Sequence, residues 1–279
     1  MDKSKKSTYI VAAITFVILL VGIYFLFIFK KVPGQIKPKD FTSGELKQIS
    51  DIDITKRPYV SLTPTADGAE IIISIENMAD FDGIEYELTY QADNPTAAGT
   101  KIQRGATGTD VNTKDQKYKK SILLGTASRG VRSPDRGVED GKLTMHLFKG
   151  EQEYLSETDW NLSQIGLKSA ALENRDGNFK LEIPGLGKDY WVILSDTIGV
   201  PLNAKFDLKK VQFPIYGAFS IAGDFTKEGT LTIKSKAGDE LYSYSQQDSA
   251  WQKLETSDAA DDLTAKVSSF ATFAVVSSK

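Results

Sequence analysis

Ile84-Glu-Tyr-Glu-Leu-Thr-Tyr90 decides the fold class, because apolar and polar side chains alternate along it. Successive side chains of a β-strand point to opposite faces, so this stretch predicts a strand with one buried and one exposed face. The same alternation recurs at residues 59–62, 69–75 and 143–148. We therefore expect half-buried antiparallel strands in this part of the chain.

Turn residues separate the predicted strands. Asp67-Gly68, Asp82-Gly83, Asp140-Gly141 and Asp176-Gly177 each precede a strand, and the glycine permits the positive φ of a tight turn. Further strands are predicted at 178–183, 190–194, 218–222, 229–234, 241–245 and 263–276. We expect a mainly β fold with two immunoglobulin-like antiparallel β-sandwich domains, at 58–177 and 178–279. The alternatives are a boundary as late as Pro214 or one long sheet.

The N-terminal region predicts one transmembrane α-helix. Residues 9–29 carry no charge, and a helix of 21 residues, at about 1.5 Å per residue, crosses a hydrocarbon core of about 30 Å. A cleavable signal peptide is the alternative, but its apolar segment is shorter and ends in small residues, whereas Phe29-Lys30-Lys31 stands here. The helix is therefore expected to stay attached to the protein and to contact membrane lipid.

Lysines flank the predicted helix on both sides, so the positive-inside rule is nearly balanced. We assign residues 1–8 to a cytoplasmic tail, because a long polar C-terminal region can cross the membrane regardless of its charge. Residues 30–57 are polar and contain Pro33, Gly34 and Pro38, which is typical of a stalk. The predicted location is the cell membrane, with a single pass and extracytoplasmic C-terminal domains.

Composition excludes several kinds of site. The chain has no cysteine and one histidine, which rules out disulfides, a catalytic thiol and a two-histidine zinc site. The net charge is only -3 and gives the chain no overall attraction to nucleic acid, so an intracellular nucleic-acid partner is not expected. His146 is interpreted as a half-exposed strand residue, and Asp80 and Asp82 as turn residues rather than calcium ligands. No catalytic residue, metal or cofactor is predicted.

Residues 101–136 form the one strongly charged segment. Nine basic residues stand against three aspartates, a local charge of +6. The basic residues are Lys101, Arg104, Lys114, Lys117, Lys119, Lys120, Arg129, Arg132 and Arg136. They are the candidate surface for an anionic partner, such as a cell-wall polymer, phospholipid headgroups or extracellular nucleic acid. The alternative is a solvated segment that protects a strand edge, and the scattering of the lysines favours it.

Two further features of the sequence bear on ligand binding. Residues 105–113 are rich in glycine and threonine, which predicts a flexible loop that could approach a ligand closely. Trp160, Trp191 and Trp251 could stack on sugar rings, but each lies in or beside a predicted strand. Packing in the core is the favoured interpretation of the tryptophans.

The runs Ile122-Leu-Leu-Gly-Thr-Ala-Ser-Arg-Gly-Val-Arg132, Gly137-Val-Glu-Asp-Gly-Lys-Leu-Thr144 and Thr158-Asp-Trp-Asn-Leu162 resemble a pattern in uncharacterised single-pass bacterial surface proteins. In that family the first run commonly carries two cysteines, where this chain has Ala127 and Arg132, so no disulfide or redox role is implied. The tail, through residues 241–244, 251–254 and 263–276, is similar to the closing strands of bacterial immunoglobulin-like or ZU5-like surface domains. The resemblance covers most of the region after the stalk and implies a structural or adhesive module.

These observations lead to three hypotheses of function. The leading one is a non-enzymatic surface protein that binds a protein or an anionic cell-envelope polymer, or acts as an adhesive module or a spacer. The second is an accessory subunit of a cell-envelope membrane complex. The third is a cell-wall-active hydrolase, which would need two carboxylates facing one cleft.

Overall fold

Strands make up most of the chain in the computed structural model, which describes residues 46–259 and 261–278. The mainly β fold predicted from the sequence is confirmed. Short 3-10 helices occur at Ile49–Asp51, Ile54–Lys56 and Leu208–Lys210. Within the described ranges, no helix is both long enough and apolar enough to span a bilayer. The predicted cytoplasmic tail, the predicted transmembrane helix and residues 30–45 of the predicted stalk lie outside those ranges.

The strands of the described region are numbered in chain order. Those of the first half are β1 (Leu46–Gln48), β2 (Tyr59–Pro64), β3 (Glu70–Glu76), β4 (Gly83–Asp93), β5 (Lys101–Val111), β6 (Lys117–Leu123), β7 (Gly125–Ser128), β8 (Val131–Pro134), β9 (Glu139–Lys149) and β10 (Gln152–Ile165). Those of the second half are β11 (Ala170–Glu173), β12 (Phe179–Ile183), β13 (Tyr190–Thr197), β14 (Ile215–Ser220), β15 (Gly229–Lys234), β16 (Glu240–Ser245), β17 (Ala250–Lys253), β18 (Thr256–Ala259), β19 (Asp262–Val267) and β20 (Thr272–Val276).

The largest sheet, here called the central sheet, has the order β17-β16-β20-β14-β13-β10-β9-β4-β5, and β1 pairs with β10 beside it. A three-stranded sheet has the order β2-β3-β6, and a five-stranded sheet has the order β11-β12-β15-β19-β18. Strands β7 and β8 form a separate hairpin. Apart from the parallel pair β1 and β10, the strand pairs of the described region are antiparallel, as the alternation of apolar residues predicts.

Strand β13 contributes to two cores on opposite faces of the central sheet. Ile193 packs in a core that includes Ile73 of the three-stranded sheet. Val192 and Leu194 pack in a second core that includes Leu181 of the five-stranded sheet. Because neighbouring residues of a strand point to opposite faces, the two smaller sheets cover opposite faces of the central sheet.

The central sheet continues across the predicted domain boundary. Strand β10, before the boundary at 177/178, pairs with β13, after it. The two halves nevertheless build largely separate cores, and the described residues belong to one compact unit. The division into domains at 58–177 and 178–279 stays a prediction.

The folded region includes residues that the sequence assigns to the stalk. Leu46–Gln48 forms β1, and the side chains of Ile52 and Ile54 are buried. The guanidinium of Arg57 is held close to this segment, because its Nε donates to the carbonyl of Ile52 at 2.7 Å. Residues 46–57 therefore pack with the β-sheets, so the folded region begins by Leu46 rather than near residue 58.

The prediction of a flexible loop at 105–113 is wrong for most of that segment. Residues 105–111 belong to β5, which pairs with β4. Gly108 lies beneath the ring of Tyr86, which would be only 2.2 Å from a Cβ at this position. The glycine makes room for an aromatic ring in a regular strand, whereas the sequence pattern suggested backbone freedom.

Gly141 and Trp160 form a second contact of this kind in the first core. They are register partners on β9 and β10, and the Trp160 side chain is fully buried. A Cβ at Gly141 would lie 2.2 Å from the indole ring. The ring is fully buried and cannot move into solvent, so a side chain at this position would overpack the core.

We predict that Gly141→Ala lowers the free energy of unfolding by about 1–3 kcal/mol, the usual cost of overpacking a core. Urea denaturation followed by tryptophan fluorescence measures the change. Gly187→Ala is the matched control, because a Cβ there meets no atom within 4 Å. Equal stability of Gly141→Ala and the parent protein would contradict this packing.

Asp196 is a largely buried carboxyl on β13, opposite Tyr216 of β14. Burial, together with the nearby carboxylates of Asp176 and Asp159, raises the pKa of Asp196 to about 6. The folded protein therefore binds a proton at Asp196 more tightly than the unfolded chain, where the pKa is 3.8. The stabilising effect of this proton is complete below pH 3.8 and is lost as the pH rises to about 6.

We predict that Asp196→Asn removes this pH-dependent loss of stability. The loss amounts to at most about 3 kcal/mol, because the pKa of Asp196 is raised by about two. As the pH rises from 4 to 7, the midpoint of urea denaturation should fall less in Asp196→Asn than in the parent protein. The variant should be the more stable of the two at pH 7. The exposed Asp261→Asn is the control and should follow the parent. Parallel pH profiles for Asp196→Asn and the parent would refute the assignment.

Candidate ligand-binding cleft

The nine basic residues of the charged segment are divided between β5, β6, the β7–β8 hairpin and the adjoining turns. Five of them form ion pairs with carboxylates. The pairs are Lys101 with Asp93 at 3.0 Å and Glu139 at 3.1 Å, Arg104 with Asp135 at 3.5 Å, Lys117 with Glu76 at 2.6 Å, Lys120 with Asp110 at 2.9 Å, and Arg132 with Asp67 at 3.3 Å and with Glu70. Much of the local positive charge is thus offset within the fold.

The four other basic residues, Lys114, Lys119, Arg129 and Arg136, form no ion pair with a carboxylate of the described region, and all four are exposed. Strand β6 separates its lysines by alternation. Lys120 is opposite Ile73, on the face of β6 that packs on the first core, and its Nζ donates to the exposed carboxylate of Asp110. Lys117 and Lys119 point to the outer face.

The outer face of the three-stranded sheet forms one wall of a cavity of about 380 Å³, here called the Ser74 cleft. The opposite wall comes from the end of β14 and from the turn between β16 and β17. Most of the lining side chains carry a hydroxyl, amide or charged group. They are Tyr59, Ser61, Thr63, Ile72, Ser74, Glu76, Lys117, Lys119, Ser220, Ile221, Tyr244, Gln246 and Ser249.

Ser61, Ser74 and Lys119 form a row across this face. Ser74 is the register partner of Ser61 on β2 and of Lys119 on β6, so the three side chains are direct neighbours. Ser74 is only 7% exposed, and its Oγ has no hydrogen-bond partner among the described residues. A buried hydroxyl without a partner costs about 1–3 kcal/mol, so it is a site where a polar ligand atom gains a strong contact.

Tyr59 fixes the base of the cleft. Its hydroxyl is 2.8 Å from Thr272 Oγ1 on β20 and accepts a hydrogen bond from Gln246 Nε2 at 3.3 Å. These contacts join the three-stranded sheet to the central sheet. Burial raises the pKa of Tyr59 well above its usual range, so the phenol stays protonated at physiological pH.

The cleft is suited to hold an anionic group beside hydroxyl groups. Glu76 neutralises Lys117, whereas Lys119 keeps its charge available to a ligand. The hydroxyls of Ser61 and Ser74 can donate to a carboxylate or phosphate oxygen that Lys119 attracts. Across the described ranges, no group of histidine, aspartate and glutamate side chains is arranged to hold a metal ion.

The structure places the other candidate residues outside the cleft. His146 is a half-exposed strand residue, as predicted, and its Nδ1 is 2.6 Å from Glu153 Oε1. Asp82 accepts a hydrogen bond from the backbone of Gly150 at 2.7 Å, and Asp80 pairs with Lys149 at 3.5 Å. Both aspartates are therefore held by a turn of the chain itself.

Core packing is confirmed for Trp160 and Trp251, which are both buried. The indole Nε1 of Trp251 donates to the carbonyl of Pro201 at 3.4 Å. Trp191 is partly buried and covers Gly68. None of the three lines the Ser74 cleft.

Sequence reasoning found Lys117 and Lys119 but missed the serines and Tyr59. The alternation in residues 59–62 predicts that Tyr59 and Ser61 lie on the face opposite Val60 and Leu62, which is correct. A local pattern cannot show that β14 and the turn after β16 cover this face. A serine between two apolar strand residues on both β2 and β3 is the only available signal.

No protein-family model matches the chain, and no curated protein matches it significantly. The resemblance to single-pass bacterial surface proteins stays a prediction. Function therefore has to be inferred from the cleft itself.

We predict that Ser74→Ala does not lower the free energy of unfolding and raises it by up to about 1–3 kcal/mol, because it removes a buried hydroxyl that has no hydrogen-bond partner among the described residues. Tyr59→Phe is the matched comparison and should cost about 1–3 kcal/mol, because it leaves the buried hydroxyl of Thr272 without its partner. Thermal and urea denaturation of both variants measure the difference. An equally large loss in Ser74→Ala would show that its hydroxyl is already engaged.

Proposed function

We propose that this protein is a membrane-anchored, extracytoplasmic β-sandwich protein that binds an anionic cell-envelope polymer in the Ser74 cleft without reacting with it. The row of Ser61, Ser74 and Lys119 carries this proposal. It combines a buried hydroxyl with a lysine, and within residues 46–259 and 261–278 the hydroxyl has no hydrogen-bond partner and the lysine no carboxylate partner. Such a pair of features favours binding of an anion over a purely structural role.

The cellular location follows from the sequence. Residues 9–29 are apolar and uncharged, and polar residues 30–45 separate them from the first described strand. This spacing supports an anchored protein whose folded part stands off the bilayer and faces the cell envelope. The two cores on opposite faces of the central sheet support sandwich packing, and we assign both halves to the immunoglobulin-like class of the bacterial surface proteins that the sequence resembles.

Two titratable groups of the cleft, Tyr59 and Glu76, favour binding over catalysis. Tyr59 stays protonated, and Glu76 is engaged by Lys117 at 2.6 Å. Neither group is poised to accept a proton from the neighbouring serines, which a hydrolytic nucleophile would require. The hydroxyls are therefore assigned to ligand recognition.

We predict that Lys119→Gln weakens binding to polygalacturonate and to polyglycerol phosphate by about 5–10-fold at low salt, equivalent to about 1 kcal/mol. Binding by the parent protein should also weaken as salt is added, because exposed charges are screened. Surface plasmon resonance with immobilised polymer measures both effects.

Lys114→Gln is the control, because this exposed lysine belongs to the same charged segment but lies outside the cleft. It should bind like the parent protein. Equal losses in the two variants would point to a general charge effect, and polymer binding that Lys119→Gln leaves unchanged would refute the proposal.

A further inference from the structure

A second cavity of about 280 Å³ lies beside the Ser74 cleft. Ser220, Ile221 and Gln246 line both cavities, so the two are adjacent, and together they are treated as one groove. The rest of the second cavity is formed by the end of β14, by the turn after β16, which includes Gln247, and by residues 269–271. The resulting groove extends well past the row of Ser61, Ser74 and Lys119.

The second cavity is polar but uncharged. Every side chain that lines it is neutral, including those of Gln247 and Ser269. Ile221 is 48% exposed where the cavities meet, and Phe270 adds a partly buried ring. Amide and hydroxyl groups beside small apolar surfaces suit a sugar ring, which presents hydroxyls at its edge and C–H groups on its face.

The far end of the groove is acidic. A third cavity of about 320 Å³ shares Gln247 and Ser269 with the second. Asp224, Glu228 and Asp248 line it against a single cation, Lys266. The groove therefore changes from a cationic end at Lys119, through a neutral middle, to an anionic end, and a second negative charge on the ligand is repelled there.

We infer that the ligand of the Ser74 cleft is a sparsely charged acidic glycan, in which one anionic sugar lies at Lys119 and the neutral sugars that follow lie along Ile221 and Gln247. This inference rests on the proposed function and specifies its ligand. Contacts to the neutral sugars add affinity, whereas the acidic end discriminates against polymers that carry a charge on every unit.

Isothermal titration calorimetry of the full chain in detergent micelles tests the inference with three probes. They are glucuronate, a glucuronate–xylose–xylose trisaccharide with one charge, and trigalacturonate with three charges. The singly charged trisaccharide should bind at least 5-fold more tightly than either of the other two. Lys119→Gln should weaken its binding.

Two groove variants identify the cause. Gln247→Ala should reduce the advantage of the trisaccharide over glucuronate. The double variant Asp224→Asn/Glu228→Gln should improve binding of trigalacturonate about 3-fold or more, and both of these residues are exposed, so the fold should tolerate the change. Equal affinity for glucuronate and the singly charged trisaccharide, or no response of trigalacturonate to the double variant, overturns the inference.

Failure of the inference is distinguishable from failure of the proposed function. If the probes bind equally but all lose affinity in Lys119→Gln, the cleft binds anions and only the extended glycan is refuted. If Lys119→Gln leaves all affinities unchanged, the proposed function fails and the inference fails with it.

Discussion

The burial of β13 on both faces is the constraint on which the rest of the structure depends. Ile193 belongs to one core, and Val192 and Leu194 belong to the other. A shift of one residue in the pairing of β13 with β10 or β14 would exchange the residues that the two cores receive. The register of the central sheet is thereby fixed from both sides, and the smaller sheets can occupy only one position on each face.

The Ser74 cleft is a consequence of this arrangement. Strand β2 packs against β13 and β14, which brings its outward residues Tyr59 and Ser61 against the end of the central sheet. The hydroxyl contact of Tyr59 with Thr272 then ties β2 to β20. A polar face that would be open to solvent in an isolated sheet becomes one wall of a groove. Ser61 and Ser74 are buried by the fold, and the Ser74 hydroxyl is left with hydrogen-bonding capacity for a ligand.

The sequence predicts strands better than it predicts how they assemble. Alternation in residues 84–90 identifies both β4 and its buried face, because that signal is local. The local pattern gives the wrong prediction for β5. Gly108 there leaves space for the ring of Tyr86 on the neighbouring strand and does not form a loop. The sequence also could not predict that the Ser74 hydroxyl lacks a hydrogen-bond partner among the described residues, because its burial depends on segments far away in the chain. The sequence identifies Lys117 and Lys119 as candidate binding residues. Only the pairing of β6 with β3 shows that these two lysines face the cleft and that Lys120 faces the first core.

Together, the buried hydroxyl and the adjacent cation make the Ser74 cleft the best-supported binding site in the described part of the chain. Hydrogen–deuterium exchange of the full chain, with and without the singly charged trisaccharide, tests this claim most directly. We expect slower exchange in peptides that cover residues 59–63, 72–76, 117–121 and 244–249. Protection confined to the β7–β8 hairpin, where Arg129 and Arg132 lie, would contradict it.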